Sequence, residues 1–269
     1  MELDMTLSKA LILVCALVGL SACNSKTYTL DAALTVKAGK GLKYGDSDPV
    51  SIKGRQPKDF PIHGVDVSRY NKNIDWRRAK SAGIQFAFIK ATEGKDDRDP
   101  SFRDHWKGAG KAGIARAGYH FYYFCAPAKA QARNFINAVS KRQSTMPPVL
   151  DVEWNPKSPT CKIRPPAHKV VRELRTWLKQ VERHYGRKPI IYTTVDFHRD
   201  NLADGSLGDY PFWLRSVTAE PKFKYPNRKW LFWQYSGTGR APGFDGDVDL
   251  NVFRGSKSAW NDWLQKNGN

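Results

Sequence analysis

The sequence predicts an α/β protein with a single irregular β/α barrel, similar to a TIM barrel, of about eight mainly parallel strands. From residue 61 onward, about eight short apolar runs alternate with amphipathic stretches of helical period. Repeated β-then-α units indicate a parallel sheet, and about eight of them indicate that the sheet closes. The alternative is an open doubly wound sheet. No glycine-rich phosphate loop follows any of the predicted strands, which counts against that alternative.

The predicted strands are short runs rich in branched and aromatic residues, as strands usually are. They are Ile62–Val67, Gln85–Ala91, Ala115–Phe121, Pro148–Val152, Pro189–Thr194, Phe212–Leu214, Leu231–Tyr235 and Val248–Val252. Near Pro211 the helical pattern weakens. We therefore expect reduced helices between the last three strands.

Three helices have recognisable boundary signals. The first begins after Asp75, a favourable N-cap residue, and ends at Gly83. The second spans about Pro127–Arg142. The third, Pro165–Tyr185, has a proline in its first turn, one apolar stripe, and Gly186 as its terminator.

The N-terminus carries the pattern of an export signal. Leu11–Leu20 is an unbroken apolar run that is too short to span a bilayer, and it ends in the small residues of Leu-Ser-Ala-Cys23. This ending resembles the lipobox of bacterial lipoproteins, so residues 1–22 are predicted to be a signal peptide and Cys23 the lipidation site. The alternative is an ordinary secretory signal. The first four residues contain two acids, which is unusual for such a signal, and initiation at Met5 would remove them.

Residues 23–60 contain many lysines and glycines with little periodicity, and predict a basic flexible tether with room for one short ordered piece. The barrel then occupies residues 61–269. The chain has 44 lysines and arginines against 26 acids, a net charge of +18. Such a charge attracts polyanions, which include nucleic acid, anionic lipid headgroups and an acidic cell wall. The basic residues form no recognised nucleic-acid module, so we expect no nucleic-acid partner.

The four cysteines divide into two groups. Cys15 lies inside the apolar signal and Cys23 is the lipidation candidate, which leaves Cys125 and Cys161. These two follow the third and fourth predicted strands, whose C-terminal loops lie side by side in a barrel. Exported proteins meet an oxidising environment, so we predict a Cys125–Cys161 disulfide. Two unrelated thiols are the alternative.

Acidic residues mark the predicted functional site. Five of them stand at or just past the C-terminal ends of predicted strands, where the active sites of β/α barrels assemble. They are Asp66, Glu93, Asp151, Glu153 and Asp249. Any one of them, taken alone, could equally well be a helix N-cap or an acid that fixes a loop. Five at one rim indicate a site, because carboxylates that end apolar strands are costly to bury without partners.

The segment Asp151-Val152-Glu153 predicts the chemistry. Residues i and i+2 of a strand point to the same face, about 6.5–7 Å apart at Cα. Two carboxyl groups on one face of a low-dielectric cleft cannot both ionise cheaply, so their pKa values separate. Glycosidic cleavage needs such a pair. Glu153 has the longer reach and is assigned as proton donor, with Asp151 as its charged partner.

An ordered set of motifs resembles one family. It consists of Gly64-Val65-Asp66-Val67-Ser68, Ile89-Lys90-Ala91-Thr92-Glu93-Gly94, Gly118-Tyr119-His120-Phe121, Leu150-Asp151-Val152-Glu153, Trp233-Gln234-Tyr235 and Val248-Asp249-Leu250-Asn251. Together these look like the GH25 glycoside hydrolases, the muramidases of the Chalaropsis lysozyme type, over about residues 61–264.

The resemblance implies an irregular β/α barrel that hydrolyses the β-1,4 bond from N-acetylmuramic acid to N-acetylglucosamine in peptidoglycan. It implies that Glu153 is the general acid. The further active-site acids that it implies are Asp66, Asp151 and Asp249. The residues that it places along the same cleft, as substrate contacts, are Lys90, Glu93, Tyr119, Tyr192, Trp213 and Gln234.

The stereochemical course stays open at this point. A close second carboxylate acts as a nucleophile, Asp151 orients the 2-acetamido group of the substrate for attack, or a distant carboxylate activates water. We favour acetamido participation. A rival function is an inactive membrane-tethered protein that binds the wall or another polyanion.

The sequence contains no recognisable metal site. Residues 245–249 imitate the start of a calcium loop, but Leu250 and Ser256 stand where glycine and a bidentate glutamate are needed. The six histidines show no metal spacing, and His120 is expected to be a packed strand residue. We therefore predict no metal and no cofactor.

The signal and the family resemblance together predict an exported, membrane-anchored protein that faces the periplasm or the wall. We expect it to be a monomer that acts on peptidoglycan strands.

Overall fold

The computed structural model describes residues 43–268, and the proposed signal peptide, Cys15 and the lipidation candidate Cys23 lie outside them. The strands of this part are β1 (Gly45–Asp46), β2 (His63–Val67), β3 (Ile84–Glu93), β4 (Asp97–Arg98), β5 (Ala115–Phe121), β6 (Val149–Val152), β7 (Ile190–Thr193), β8 (Phe212–Arg215), β9 (Phe232–Arg240) and β10 (Val248–Phe253). All eight predicted strands are present, with boundaries that differ by few residues except at the end of β9.

Eight strands close into a barrel in the order β2-β3-β5-β6-β7-β8-β9-β10, and β10 returns to β2. Every neighbouring pair from β2 to β9 is parallel. β10 runs antiparallel to both of its neighbours. Only residues 241–247 link β9 to β10, and a parallel crossover needs a dozen or more residues. The predicted barrel of mainly parallel strands is therefore confirmed.

The helices of the described residues are α1 (Trp76–Ser81), α2 (Phe102–Lys111), α3 (Ala128–Ala138), α4 (Ala167–Tyr185), α5 (Val195–Asn201) and α6 (Lys257–Asn267). Asp75 caps α1 by accepting a hydrogen bond from the backbone N–H of Arg78, and Gly186 ends α4 in the left-handed conformation, as predicted. Only a 3₁₀ turn at Pro221–Phe223 lies between β8 and β9, which confirms the reduced helices near the C-terminus. None of the helices in residues 43–268 is both long and apolar enough to cross a membrane.

The helix α2 was not predicted, because two glycines interrupt its sequence. One of them has a packing role. A Cβ on Gly108 would lie 2.3 Å from Cδ1 of Trp76, so this glycine permits the close approach of α2 to α1.

Alternate residues of the strands supply two hydrophobic layers. Phe86 and Phe88 point into the barrel, where they pack with other aromatic rings, whereas Ala87 and Ile89 face the surrounding helices. This division follows from the two-residue period of a strand. The tryptophans of α6, Trp260 and Trp263, pack on the barrel-lining Phe232 and Phe253.

The predicted boundary between tether and barrel at residue 60 is wrong for residues 43–60. β1 pairs with β9, and Tyr44 and Phe60 are buried in the main hydrophobic core. The buried carboxylate of Asp46 accepts hydrogen bonds from the hydroxyls of Ser236 and Thr238 at 2.5 and 2.7 Å. Contacts with β9, almost 200 residues away in the chain, hold this segment. Its own sequence therefore does not need the hydrophobic period of an independent element, and the local pattern gave no sign of it.

Candidate active site

A cleft of about 610 Å³ opens at the C-terminal ends of the parallel strands. All ten residues predicted from the sequence to form the site line this one cavity. Its lining is Asp66, Ser68, Tyr70, Lys90, Glu93, Tyr119, Phe121, Tyr123, Asp151, Glu153, Asn155, Lys157, Ser158, Pro159, Tyr192, Trp213, Arg215, Gln234 and Asp249. Their convergence follows from the barrel, since most of them lie toward the C-terminal ends of the parallel strands or in the loops beyond, and the antiparallel β10 brings Asp249 to the same rim.

Four carboxyl groups come from three strands. Asp66 lies in β2, and its Cα is paired across the antiparallel ladder with that of Asp249 in β10. Asp151 lies in β6, and Glu153 directly follows that strand. Because β10 runs antiparallel, Asp249 reaches the rim from near the beginning of its strand rather than from the end.

Asp66 is held by two amide side chains. Its Oδ2 accepts hydrogen bonds from Nε2 of Gln234 at 2.9 Å and from Nδ2 of Asn251 at 2.7 Å. Burial raises the pKa of Asp66 to about 6, and the two amide donors and the Arg215 guanidinium oppose this rise. Hydrogen bonds donated to a carboxylate favour its charged form.

Two aromatic residues determine which way those amides face. The indole N–H of Trp213 can only donate, and it donates to Oδ1 of Asn251 at 2.8 Å. The NH₂ of Asn251 must therefore point at Asp66. On the other side, the hydroxyl of Tyr192 donates to Oε1 of Gln234 at 2.9 Å. The arrangement presents two N–H donors to one carboxylate.

The carboxyl groups of Glu153 and Asp151 instead favour their protonated forms. Burial raises the pKa of Glu153 to about 7, against the pull of Arg215. Burial and the neighbouring Glu153 raise the pKa of Asp151 well above its usual range. Among the described residues, no group donates a hydrogen bond to Oδ1 of Asp151.

These surroundings bear on one assignment made from the sequence. Asp151 was expected to be the charged partner of Glu153, because the two share one face of a strand. The structure instead provides two amide donors for Asp66 and none for Oδ1 of Asp151. In the free protein Asp66 is thus the carboxyl group best able to hold a negative charge. Spacing along one strand could not show which more distant strands supply those donors.

The remaining predicted residues surround this cluster. Lys90 and Glu93 form an ion pair with each other. Burial raises the pKa of Asp249 well above its usual range, and the charge of Asp66 adds to the rise. Sequence reasoning missed two residues that matter here, Arg215 and Asn251. Both had a signal: Arg215 directly follows a predicted strand, and Asn251 belongs to a motif already noted.

His120 lies behind the cleft in the core, as predicted. Its Nδ1 is 2.8 Å from Oγ1 of Thr92, its Nε2 is 3.1 Å from Oε1 of Gln131, and its ring stacks on Trp177. Gln131 uses its NH₂ to donate to two backbone carbonyls, so its Oε1 is an acceptor and the histidine Nε2 donates. Burial lowers the pKa of His120 to about 4, which keeps the ring neutral.

The predicted disulfide is confirmed: Cys125 and Cys161 are bonded, with their Cα atoms 5.7 Å apart. It ties the loop after β5 to the loop after β6. Ser158 lines the cleft, and its hydroxyl accepts a hydrogen bond from the backbone N–H of Cys161 at 3.0 Å. The disulfide therefore restrains one wall of the cleft.

The fold and the site together define a class of protein. A β/α barrel whose strand ends gather a charged carboxylate beside a carboxyl group that is protonated near neutral pH has the architecture of a glycoside hydrolase. Residues 65–244 match the model of glycosyl hydrolases family 25, and the chain belongs to that family.

Similar proteins cover most of the chain. It is 38% identical over 218 residues to the uncharacterized protein YegX of Escherichia coli K12, which covers 79% of this chain and 77% of that protein. It is 37% identical over 207 residues to lysozyme M1 of Streptomyces globisporus, covering 72% and 68%. Among solved structures, a family 25 glycosyl hydrolase from Bacillus anthracis matches with a TM-score of 0.69 and 32% identity, covering 81% of this chain and 99% of the other.

Proposed function

We propose that the protein is an N-acetylmuramidase, which hydrolyses the β-1,4 bond between N-acetylmuramic acid and N-acetylglucosamine in peptidoglycan. The observation that carries the proposal is the presence, in one cleft, of the amide-held Asp66 and of Glu153, whose pKa of about 7 lets it donate a proton near neutral pH. The similarity to lysozyme M1 supports the choice of substrate.

In this mechanism Glu153 donates its proton to the leaving glycosidic oxygen. The negative charge of Asp66 stabilises the positive charge that develops on the sugar ring. Oδ1 of Asp151 has no protein donor, which leaves it available to accept the N–H of the 2-acetamido group. The acetamido oxygen then attacks the anomeric carbon, and water opens the resulting ring with Glu153 as base, so the configuration is retained.

Digestion of purified peptidoglycan tests the proposal. Mass spectrometry of the products should show N-acetylmuramic acid at each new reducing end, and NMR of the first products should show the β-anomer. New N-acetylglucosamine reducing ends, or anhydro ends, would contradict the muramidase assignment. An α-anomer product would contradict acetamido participation but would leave the muramidase assignment standing.

The rival function, an inactive protein that only binds the wall or another polyanion, would need no proton donor. Failure of the purified protein to release any fragment, together with tight sedimentation with the wall, would favour it.

We further propose that the mature protein is an exported monomer that a lipid on Cys23 holds at a membrane. The support is the Leu-Ser-Ala-Cys23 ending of the apolar run. Labelling with a radioactive fatty acid should mark the wild type and not Cys23→Ser. Light scattering of the mature domain should give the mass of a single chain.

A further inference from the structure

Three cationic side chains line the cleft, and they differ in their partners. Lys90 is paired with Glu93. Lys157 stands on the exposed rim, where water solvates it. Arg215 is only partly exposed, yet its guanidinium has no hydrogen bond, ion pair or ring contact with any residue of the described chain. A guanidinium that is partly removed from water without a partner loses solvation, so its position calls for a reason.

The backbone around Arg215 is held firmly. Arg215 is the last residue of β8, and the buried hydroxyl of Tyr225 donates to its carbonyl at 2.6 Å. The next residue, Ser216, donates its N–H to the carbonyl of Gln234 at 2.9 Å. The strand thus aims this side chain into the cleft beside the carboxyl cluster.

A glycine leaves space in front of the guanidinium. A Cβ on Gly237 would lie 3.3 Å from Oδ1 of Asp249 and 3.8 Å from Nη2 of Arg215, with no other heavy atom within 4 Å. The backbone of Gly237 is not in the left-handed region, so its conformation does not require glycine. The space beside it is bounded by the side chains of Arg215 and Asp249, and both of these residues line the substrate cleft.

We propose that Arg215 determines specificity by binding a carboxylate of the muramic acid unit, either its lactyl carboxylate or a carboxylate of the attached stem peptide. This inference rests on the proposed muramidase function. The planar guanidinium matches a carboxylate in bidentate geometry. Five acids and three cations line the cleft, so an anionic substrate group would be repelled elsewhere along it. Arg215 is the unpaired, partly buried cation that can receive one.

A different role for Arg215 would be to act only on the enzyme's own carboxyl groups. It faces Asp66, Glu153 and Asp249, and it lowers the pKa of each. An arginine that served this purpose alone would gain most from direct contact with one of them. Arg215 forms no ion pair with any of the three, which favours a partner that arrives with the substrate.

Three forms of the same glycan strands separate these possibilities. The first form is free of stem peptides and carries free lactyl carboxylates, the second has those carboxylates converted to N-methylamides, and the third carries intact stem peptides. The quantity to measure is kcat/KM for the wild type, Arg215→Gln and Arg215→Lys. Lys179→Gln, an exposed residue of α4, is the charge-matched control and should behave as the wild type on all three.

We expect Arg215→Gln to lower kcat/KM by about 10- to 100-fold on strands that present the recognised carboxylate, as the loss of charged hydrogen bonds predicts. The loss on N-methylamide strands should be far smaller. A loss on peptide-free strands identifies the lactyl carboxylate, and a loss confined to intact strands identifies the stem peptide. Arg215→Lys should recover only part of the loss, because a single ammonium cannot pair in bidentate fashion.

An equal loss on all three forms, with a shifted pH profile that Arg215→Lys restores, would overturn the proposal in favour of a role on the enzyme's own acids. If Arg215→Gln fails to fold, the comparison of Arg215→Lys across the three forms decides. Failure of the wild type to cleave any form would instead refute the muramidase function itself.

Discussion

Replacing Glu153 by glutamine should affect activity and stability in opposite directions. An amide cannot donate the proton, and general acid catalysis typically contributes about 10²–10⁴-fold, so turnover should fall by at least that order. The same substitution removes a buried acid whose pKa is raised from 4.5 to about 7. A group that binds its proton more tightly in the folded state destabilises the fold once the proton is lost.

The size and the pH range of the stability effect follow from that shift. Well below pH 4.5 the carboxyl group is protonated in both states and costs nothing. Its cost grows as the pH rises toward 7 and is complete above that. A shift of this size corresponds to about 3 kcal/mol. Part of it comes from the neighbouring carboxyl groups, which can take up protons themselves, so we expect Glu153→Gln to be more stable than the wild type by about 1–3 kcal/mol at pH 8.

Urea denaturation of the mature domain at pH 4.5 and pH 8 measures this difference directly. The variant's advantage should appear at pH 8 and shrink to less than about 0.5 kcal/mol at pH 4.5, whereas Asp262→Asn, which removes an exposed carboxyl group on α6, should show no such change. A variant that keeps more than about a tenth of the activity would show that the general acid lies elsewhere. An advantage that is equal at both pH values would refute the electrostatic reasoning.

Four further results are expected. Replacing both Cys125 and Cys161 by serine should lower stability by up to about 4 kcal/mol, since the bond closes a sequence separation of 36 residues; a melting temperature within a degree of the wild type would contradict this. Asn251→Leu removes one donor to Asp66, so the acidic limb of the pH–rate profile should move to higher pH, and an unmoved limb would mean that Asp66 does not govern it. Asp151→Asn should slow cleavage and remove one limb of that profile; retention of both limbs would exclude Asp151 from the titration. Activity on intact wall should fall as salt rises, because screening shortens the reach of the basic surface to about 10 Å at 0.1 M; the same dependence on a small neutral oligosaccharide would exclude that cause.

The strands could be predicted from the sequence wherever the barrel interior demanded apolar residues. Ala115–Phe121 was predicted to the residue, and the structure places β5 at these same residues. β9 was predicted to end at Tyr235 but continues to Arg240. The added part is polar, and it is a strand because β1 and β10 pair with it. Pairing with distant segments leaves no trace in local hydrophobicity.

The candidate site shows the same contrast. The types of its residues could be predicted from the sequence, but their surroundings could not. The five acids could be found from local features, because four of them end or follow an apolar run and Asp249 lies near the beginning of one. Their protonation states could not, because Asp66 is held by donors 168 and 185 residues away. The indole of Trp213 belongs to this arrangement although it does not touch the carboxylate, since it turns the amide of Asn251 toward Asp66. Hydrogen-bond donors that only the closed barrel brings together therefore favour the charged form of Asp66, and no local pattern in the sequence around the acids could show this.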